Sequence, residues 1–186
     1  DMMLRSQVSN EKATALFSKI NKEKLVGTSF YIEAAKRVDG ISATAVGKQV
    51  PAIISGNTYD GKNFDLASLK GKYVVIDFWG TWCMPCIEEI PYFLEEVKGN
   101  RKDSLTILLV SLDFKDAFPD GLTSFVKKRK FDAPMVWLDE TNADYFCPKI
   151  DAKWSGAIPA TLFINNKTGY RNFFEEQISH DQLKDE

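Results

Sequence analysis

YVVIDFWGTWCMPCIEEIP, residues 73–91, decides how the rest of the chain is read. It opens with an apolar and aromatic run, 73–79, interrupted only by Asp77. A short run with nothing polar on alternate positions suits a strand buried on both faces of a sheet. Gly80 and Thr81 break the run; Trp82, Cys83, Met84, Pro85 and Cys86 follow, and 87–98 reads as helix. The order strand, turn, Cys-x-x-Cys, helix puts Cys83 at a helix N-terminus, facing solvent, where unpaired N–H groups and the helix dipole favour an anion. A thiol so placed is partly ionised near neutral pH, and the thiolate is the nucleophile. Cys86 lies one turn further along the same face, within reach of a disulfide with Cys83. Pro85 is tolerated in a first turn, whose N–H groups have no intrahelical partner, whereas Pro91 falls inside the helix and should kink it.

Outward from this stretch, strand and helix signals alternate. Residues 104–112, SLTILLVSL, read as a second buried strand, 135–138 as a short one, and 160–164 with 170–174 as a pair around a turn at 165–169. Helices are expected at 116–131, delayed by Pro119, at 142–150, ending around Pro148, and after Ser179, which would cap the last one. The pattern describes an α/β fold whose first central strands are parallel and whose final hairpin is antiparallel. Upstream, 52–55 and the residues around Tyr59 and Phe64 predict a hairpin turning at Asp60-Gly61. Residues 1–46 carry amphipathic stretches at 8–20 and 28–38 and no chemistry-bearing group, so the chain divides into a helical segment, 1–46, and a domain, 47–186.

With 186 residues, 44% of them hydrophobic, the chain can bury one sizeable core. A net charge of −2 and a pI near 5.6 argue against a nucleic-acid footprint. The one basic run, Lys127-Lys128-Arg129-Lys130, ends an expected helix and complements its dipole. Three cysteines are too few for a disulfide framework; a close pair plus the distant Cys147 reads as a redox site and an odd thiol, half-buried and structural or else with a second resolving or regulatory role. A zinc site would have to recruit Cys147 and His180, the one histidine, in no familiar spacing. No metal is therefore expected. No stretch approaches the roughly 20 apolar residues of a membrane span. The chain shows no signal peptide, but one opening Asp1-Met2-Met3 reads as a piece cut from a longer protein, so that absence says little about the precursor.

FWGTWCMPC, with Asp77 ahead of it and Pro91 behind, resembles the active site of the thioredoxin superfamily, in particular its TlpA/ResA-like thiol–disulfide oxidoreductases with their AhpC/TSA-like relatives. Residues 46–79 resemble the entry to TlpA-like and peroxiredoxin-like domains, and the likeness covers roughly 47–186. It implies a thioredoxin-like fold, a central mixed sheet flanked by helices, with an N-terminal hairpin and helical extension. It makes Cys83 the attacking nucleophile and Cys86 the resolving thiol. It makes the stretch from Trp154 to Ile164 the cis-proline loop, with Pro159 cis and the Ile158 backbone offered to a substrate's extended chain. Trp82, Met84 and Pro85 would line the substrate side, Trp82 beside the disulfide, while Trp79 belongs to the core. Asp77 corresponds to the buried aspartate that takes the proton of Cys86. Glu89 matches the glutamate that TlpA/ResA-like proteins carry after the second cysteine. Those proteins often lack the strand aspartate; this chain has both acids, and Asp77 is expected to weigh more.

The resemblance further implies reduction of protein disulfides in the bacterial periplasm or envelope, as in cytochrome maturation. An upstream electron donor would be needed, but no cofactor beyond the Cys83–Cys86 disulfide. Met84-Pro85 lacks the histidine of strongly oxidising relatives, which favours the reducing direction. Three rivals make different demands. A thiol peroxidase-like antioxidant enzyme centres on a single peroxidatic cysteine. A metal-handling relative wants a methionine or histidine ligand near a Cys-x-x-x-Cys. A redox-independent interaction module would tolerate loss of either cysteine.

Overall fold

The computed structural model describes residues 57–58, 73–99, 105–165 and 168–185, with positions 18, 19, 28 and 31 before them. Apart from those positions, the expected helices in 1–46 and the Asp60-Gly61 turn lie outside these residues. The strands are β1 (Asn57–Thr58), β2 (Tyr73–Trp79), β3 (Leu105–Ser111), β4 (Met135–Trp137), β5 (Ala160–Asn165) and β6 (Tyr170–Phe174). The helices are α1 (Met84–Lys98), α2 (Asp120–Arg129), α3 (Ala143–Ile150) and α4 (His180–Asp185). The strands form one mixed sheet in the order β1-β4-β3-β2-β5-β6.

The apolar run of β2 takes a central position, parallel to β3 on one side and antiparallel to β5 on the other. Its residues are buried from Val74 onward, as a strand covered on both faces requires. The β3–β4 pair is parallel and the β5–β6 hairpin antiparallel, matching the pattern read from the sequence. Asn57 and Thr58 pair antiparallel with β4 at the sheet edge.

Successive side chains of β2 feed two separate cores. Val75 and Trp79 join Ile87, Ile90 and Phe93 of α1, Leu122 of α2 and Leu183 of α4 on one face. Val74, Ile76 and Phe78 join Phe146, Cys147 and Ile150 of α3 on the other. Trp154 anchors that second core, with ring centroids 4.6 Å from Phe78 and 5.4 Å from Phe146. Asp77 lies between Val75 and Trp79 at the strand period and so faces the first core, under α1.

Two prolines alter the expected helices. The segment 116–131 divides into a single 3-10 turn, Lys115–Ala117, and α2, separated by a cis Phe118–Pro119 bond. Phe118, ahead of Pro119, is extended, the geometry that a residue before proline favours, and α2 starts only after the proline. Phe118 instead stacks on Trp137, centroids 4.1 Å apart. Pro148 does not end α3, which runs on to Ile150, its last turn closed by the Asp151 N–H donating to the Cys147 carbonyl at 2.8 Å. The basic residues Lys127, Lys128 and Arg129 occupy the last turn of α2 as expected. Ser179 and Gln182 bond each other reciprocally at the start of α4: the Gln182 N–H donates to Ser179 Oγ and the Ser179 N–H to Gln182 Oε1.

Candidate active site

Cys83 is the N-cap of α1, in extended backbone conformation, and its Sγ accepts the N–H of Cys86 at 3.3 Å. Its own N–H donates to the Gly80 carbonyl at 3.0 Å, closing the turn that redirects the chain from strand to helix. Cys83 and Cys86 are joined in a disulfide, their Cα atoms 5.4 Å apart. Cys86 is wholly buried and Cys83 is 5% exposed. The open, solvent-facing Cys83 expected from the helix N-terminus is thereby corrected to a narrow opening in the disulfide form. The ring of Trp82 lies over Gly80, where a Cβ would come within 2.8 Å of it, and stays 56% exposed. Met84 is exposed beside it, and Trp79 is buried in the core.

The turn is clamped by a residue that sequence reasoning missed. Asp113, buried just beyond β3, accepts the Thr81 N–H at 3.0 Å and the Thr81 hydroxyl at 2.6 Å through Oδ1. Its Oδ2 takes the Ser111 hydroxyl at 2.8 Å. The Leu112 N–H donates to the Trp79 carbonyl at 2.8 Å, joining the two strand ends. The signal available in the sequence was position alone: sites in α/β folds gather at the carboxyl ends of parallel strands, where Asp113 stands.

Ile158–Pro159 is a cis peptide, as the resemblance implies. The register pairs Phe78 with Ala160, so Pro159 stands at the β2 end that leads into the Cys-x-x-Cys turn. Ile158 packs against the core that holds both cysteines. The loop before it is held by Trp154, whose Nε1 donates to the Ala157 carbonyl at 2.8 Å. Gly156 takes φ +100°, which favours glycine, and a Cβ there would press within 3.4 Å of Ala143 and 3.7 Å of Cys147 Sγ.

Two buried acids lie on the same face of the sheet as the disulfide. Glu89 projects from α1, wholly buried, and its Oε2 accepts the Ile178 N–H at 2.7 Å; Oε1 has no hydrogen-bond partner among the described residues. Neither oxygen of Asp77 has one, nor does the hydroxyl of Thr161 directly across on β5. Burial, and then the charge of Glu89, pushes the Asp77 carboxyl well above its ordinary value. Burial pushes Glu89 up to about 7, against the opposing pull of the Ile178 N–H. Cys147 is a free, buried thiol in the second core, on the opposite face from Cys83 and Cys86. His180 bonds Glu96 at 3.3 Å and stacks on Tyr92, in α1 on the first face. The distant ligands that a zinc site would recruit are thus on opposite faces of the sheet. Among the described residues no group of three acidic, histidine or cysteine side chains could hold a metal ion. No described helix is long and apolar enough to cross a membrane.

A disulfide closed at a helix head, next to a cis-proline edge and on the same face of the sheet as two buried acids, has the parts that thiol–disulfide exchange needs. With this sheet around it, the chain is a thioredoxin-like thiol–disulfide oxidoreductase. It belongs to the AhpC/TSA family, whose model matches residues 46–169. It is similar to the thiol-disulfide oxidoreductase ResA of Bacillus thuringiensis (strain Al Hakam), 37% identical over 142 residues, 76% of this chain and 73% of that protein. The ResA of Bacillus subtilis (strain 168) is 29% identical over 126 residues, 68% of this chain and 65% of its own length. Among solved structures, a thioredoxin-related protein from Neisseria meningitidis serogroup B superposes with a TM-score of 0.60 at 25% identity, covering 69% of this chain and 93% of that one.

Proposed function

We propose that the chain reduces protein disulfides in the bacterial cell envelope, cycling Cys83 and Cys86 between dithiol and disulfide. The observation that carries this reading is the Cys83–Cys86 disulfide at the head of α1, one helical turn before the buried Glu89, whose carboxyl burial pushes up to about 7. In the reduced protein the Cys83 thiolate attacks one sulfur of the substrate disulfide, and the other substrate sulfur leaves as a thiolate. Cys86 then gives its proton to the buried acid and attacks Cys83 Sγ, expelling the second substrate sulfur and closing the internal disulfide. Two electrons have passed to the substrate, and an upstream dithiol donor must restore them. The cis Ile158–Pro159 edge and the exposed Trp82 and Met84 are where an extended substrate segment would lie, with Pro85 in the turn beside them.

The sequence reading gives Asp77 the larger role as proton acceptor. The ionisation of the pair speaks for Glu89 at neutral pH. Burial pushes both carboxyls up, and Glu89, raised to about 7, is half ionised at neutral pH and able to take a proton there. The envelope location and a role in cytochrome maturation rest on the resemblance to TlpA/ResA-like proteins.

Two variants test the reaction. Cys83→Ser should abolish reduction of insulin disulfides, while Cys86→Ser should accumulate a mixed disulfide visible by mass, since attack proceeds and release does not. Retained reduction by Cys83→Ser would end this reading. Equilibration of the wild type in glutathione buffers tests direction: a potential nearer the order of −120 mV than −270 mV would make the chain an oxidant.

A further inference from the structure

The link between β6 and α4, residues 175–178, had no role in the sequence reading, yet it touches three parts of the site. Glu175 Oε1 accepts the N–H of Ser155 at 3.0 Å and that of Ala157 at 3.1 Å, and the Ser155 hydroxyl donates to the same oxygen. Oε2 shares the Ser155 N–H at 3.2 Å. Gln177 Nε2 donates to the Pro85 carbonyl, inside the Cys-x-x-Cys turn, at 3.1 Å. One residue on, the Ile178 N–H donates to Glu89. Three residues of one four-residue stretch, Glu175, Gln177 and Ile178, therefore bind the cis-proline loop, the disulfide turn and the buried acid to one another.

The bonds to Glu175 fill a local need. Residues 155–158 belong to no strand or helix, so the amides of Ser155 and Ala157 have no ladder partner. A carboxylate accepting several N–H and O–H groups is a stronger tether than a neutral acceptor. Glu175 is only half-buried and Gln177 is exposed, so neither is there to fill a core. We propose that Glu175 and Gln177 are positioning residues that hold the Ile158–Pro159 edge in register with the disulfide and so set how tightly a protein disulfide docks. This rests on the reading above that the Ile158 backbone receives an extended substrate chain. An edge ordered in advance spares the substrate the entropy of ordering it. The benefit goes to substrates long enough to lie along that edge, and a small disulfide that meets only Cys83 gains nothing.

The test compares the full chain, wild type and variants, on insulin with dithiothreitol restoring the Cys83–Cys86 dithiol, and, pre-reduced and in a single turnover, on the small disulfide 5,5′-dithiobis(2-nitrobenzoate). Glu175→Ala should raise KM for insulin about tenfold with kcat within about twofold, because the loss falls on binding. Its rate with the small disulfide should stay within about twofold of wild type. Gln177→Ala should show the same split, and Glu175→Gln, which keeps an acceptor oxygen, should recover most of the affinity. Without any substrate, amide hydrogen exchange at Ser155 and Ala157 should quicken in Glu175→Ala. If Glu175→Ala does not fold, Ser155→Ala removes one donor and should still raise KM for insulin. An unchanged KM for insulin in a folded variant, or equal slowing with both disulfides, overturns the proposal. A wild type inert toward both disulfides would instead overturn the function proposed above.

Discussion

Glu89 is the residue whose chemistry depends most on its surroundings. On an exposed turn of α1 it would be one more helix glutamate; pointing inward it is wholly buried and its carboxyl rises from an ordinary 4.5 to about 7. Between those two values the folded chain keeps a proton that the unfolded chain releases. The folded state binds more protons in that window, so this group's contribution to stability is full below 4.5 and is lost as pH rises to about 7. Asp77, raised for the same first reason, acts with the same sign. Urea denaturation at pH 5 and pH 8 should therefore show Glu89→Gln with a flatter pH dependence than wild type. A slope equal to wild type would mean that Glu89 titrates normally. Release of the Cys86-dependent mixed disulfide should slow on the order of 10²-fold in Glu89→Gln at pH 7, and less in Asp77→Asn. Stopped-flow release rates decide between them, and the reverse order would return the proton to Asp77.

At the scale of elements, the junction of β2 with α1 depends on one carboxylate. Asp113 holds the Thr81 amide and hydroxyl together with the Ser111 hydroxyl, and it is nearly inaccessible to water. Asp113→Ala would leave those donors buried or half-buried without an acceptor, which should cost about 2–3 kcal/mol. A lowered urea midpoint at unchanged m-value would register it; a loss below about 0.5 kcal/mol would mean that water replaces the carboxylate. The elements themselves were legible: an apolar run interrupted only by Asp77 gives β2, Cys-x-x-Cys and a first-turn proline give the start of α1, and the sequence around Ile158-Pro159 marks its loop. What joins them was not. Asp113 lies 32 residues from Thr81 and Glu175 lies 20 from Ser155. Neither pair has a local signature, because the contact exists only once the sheet order has brought the ends together. The break at Pro119 was half legible: proline favours an extended residue before it, but the stacking of Phe118 on Trp137 depends on a strand that begins 17 residues further along the chain.

Across the whole molecule, the sheet keeps two chemistries apart. Cys83 and Cys86 share one face with α1, α2 and α4, while Cys147 sits with α3 and Trp154 on the other. Burial, reinforced by the charges of Glu175 and Asp144, pushes the Cys147 thiol up to about 12, so it stays protonated at any working pH. Such a thiol reacts only when its core opens. Iodoacetamide should leave Cys147 of the oxidised protein unmodified in native buffer, and labelling should rise with urea in step with the loss of far-UV circular dichroism. Labelling at the rate of a free peptide thiol in native buffer would contradict that. The chain thus carries a chemical clock for its own breathing: with the disulfide closed, each alkylated molecule records one excursion of the α3 side, timed independently of the redox cycle on the other face.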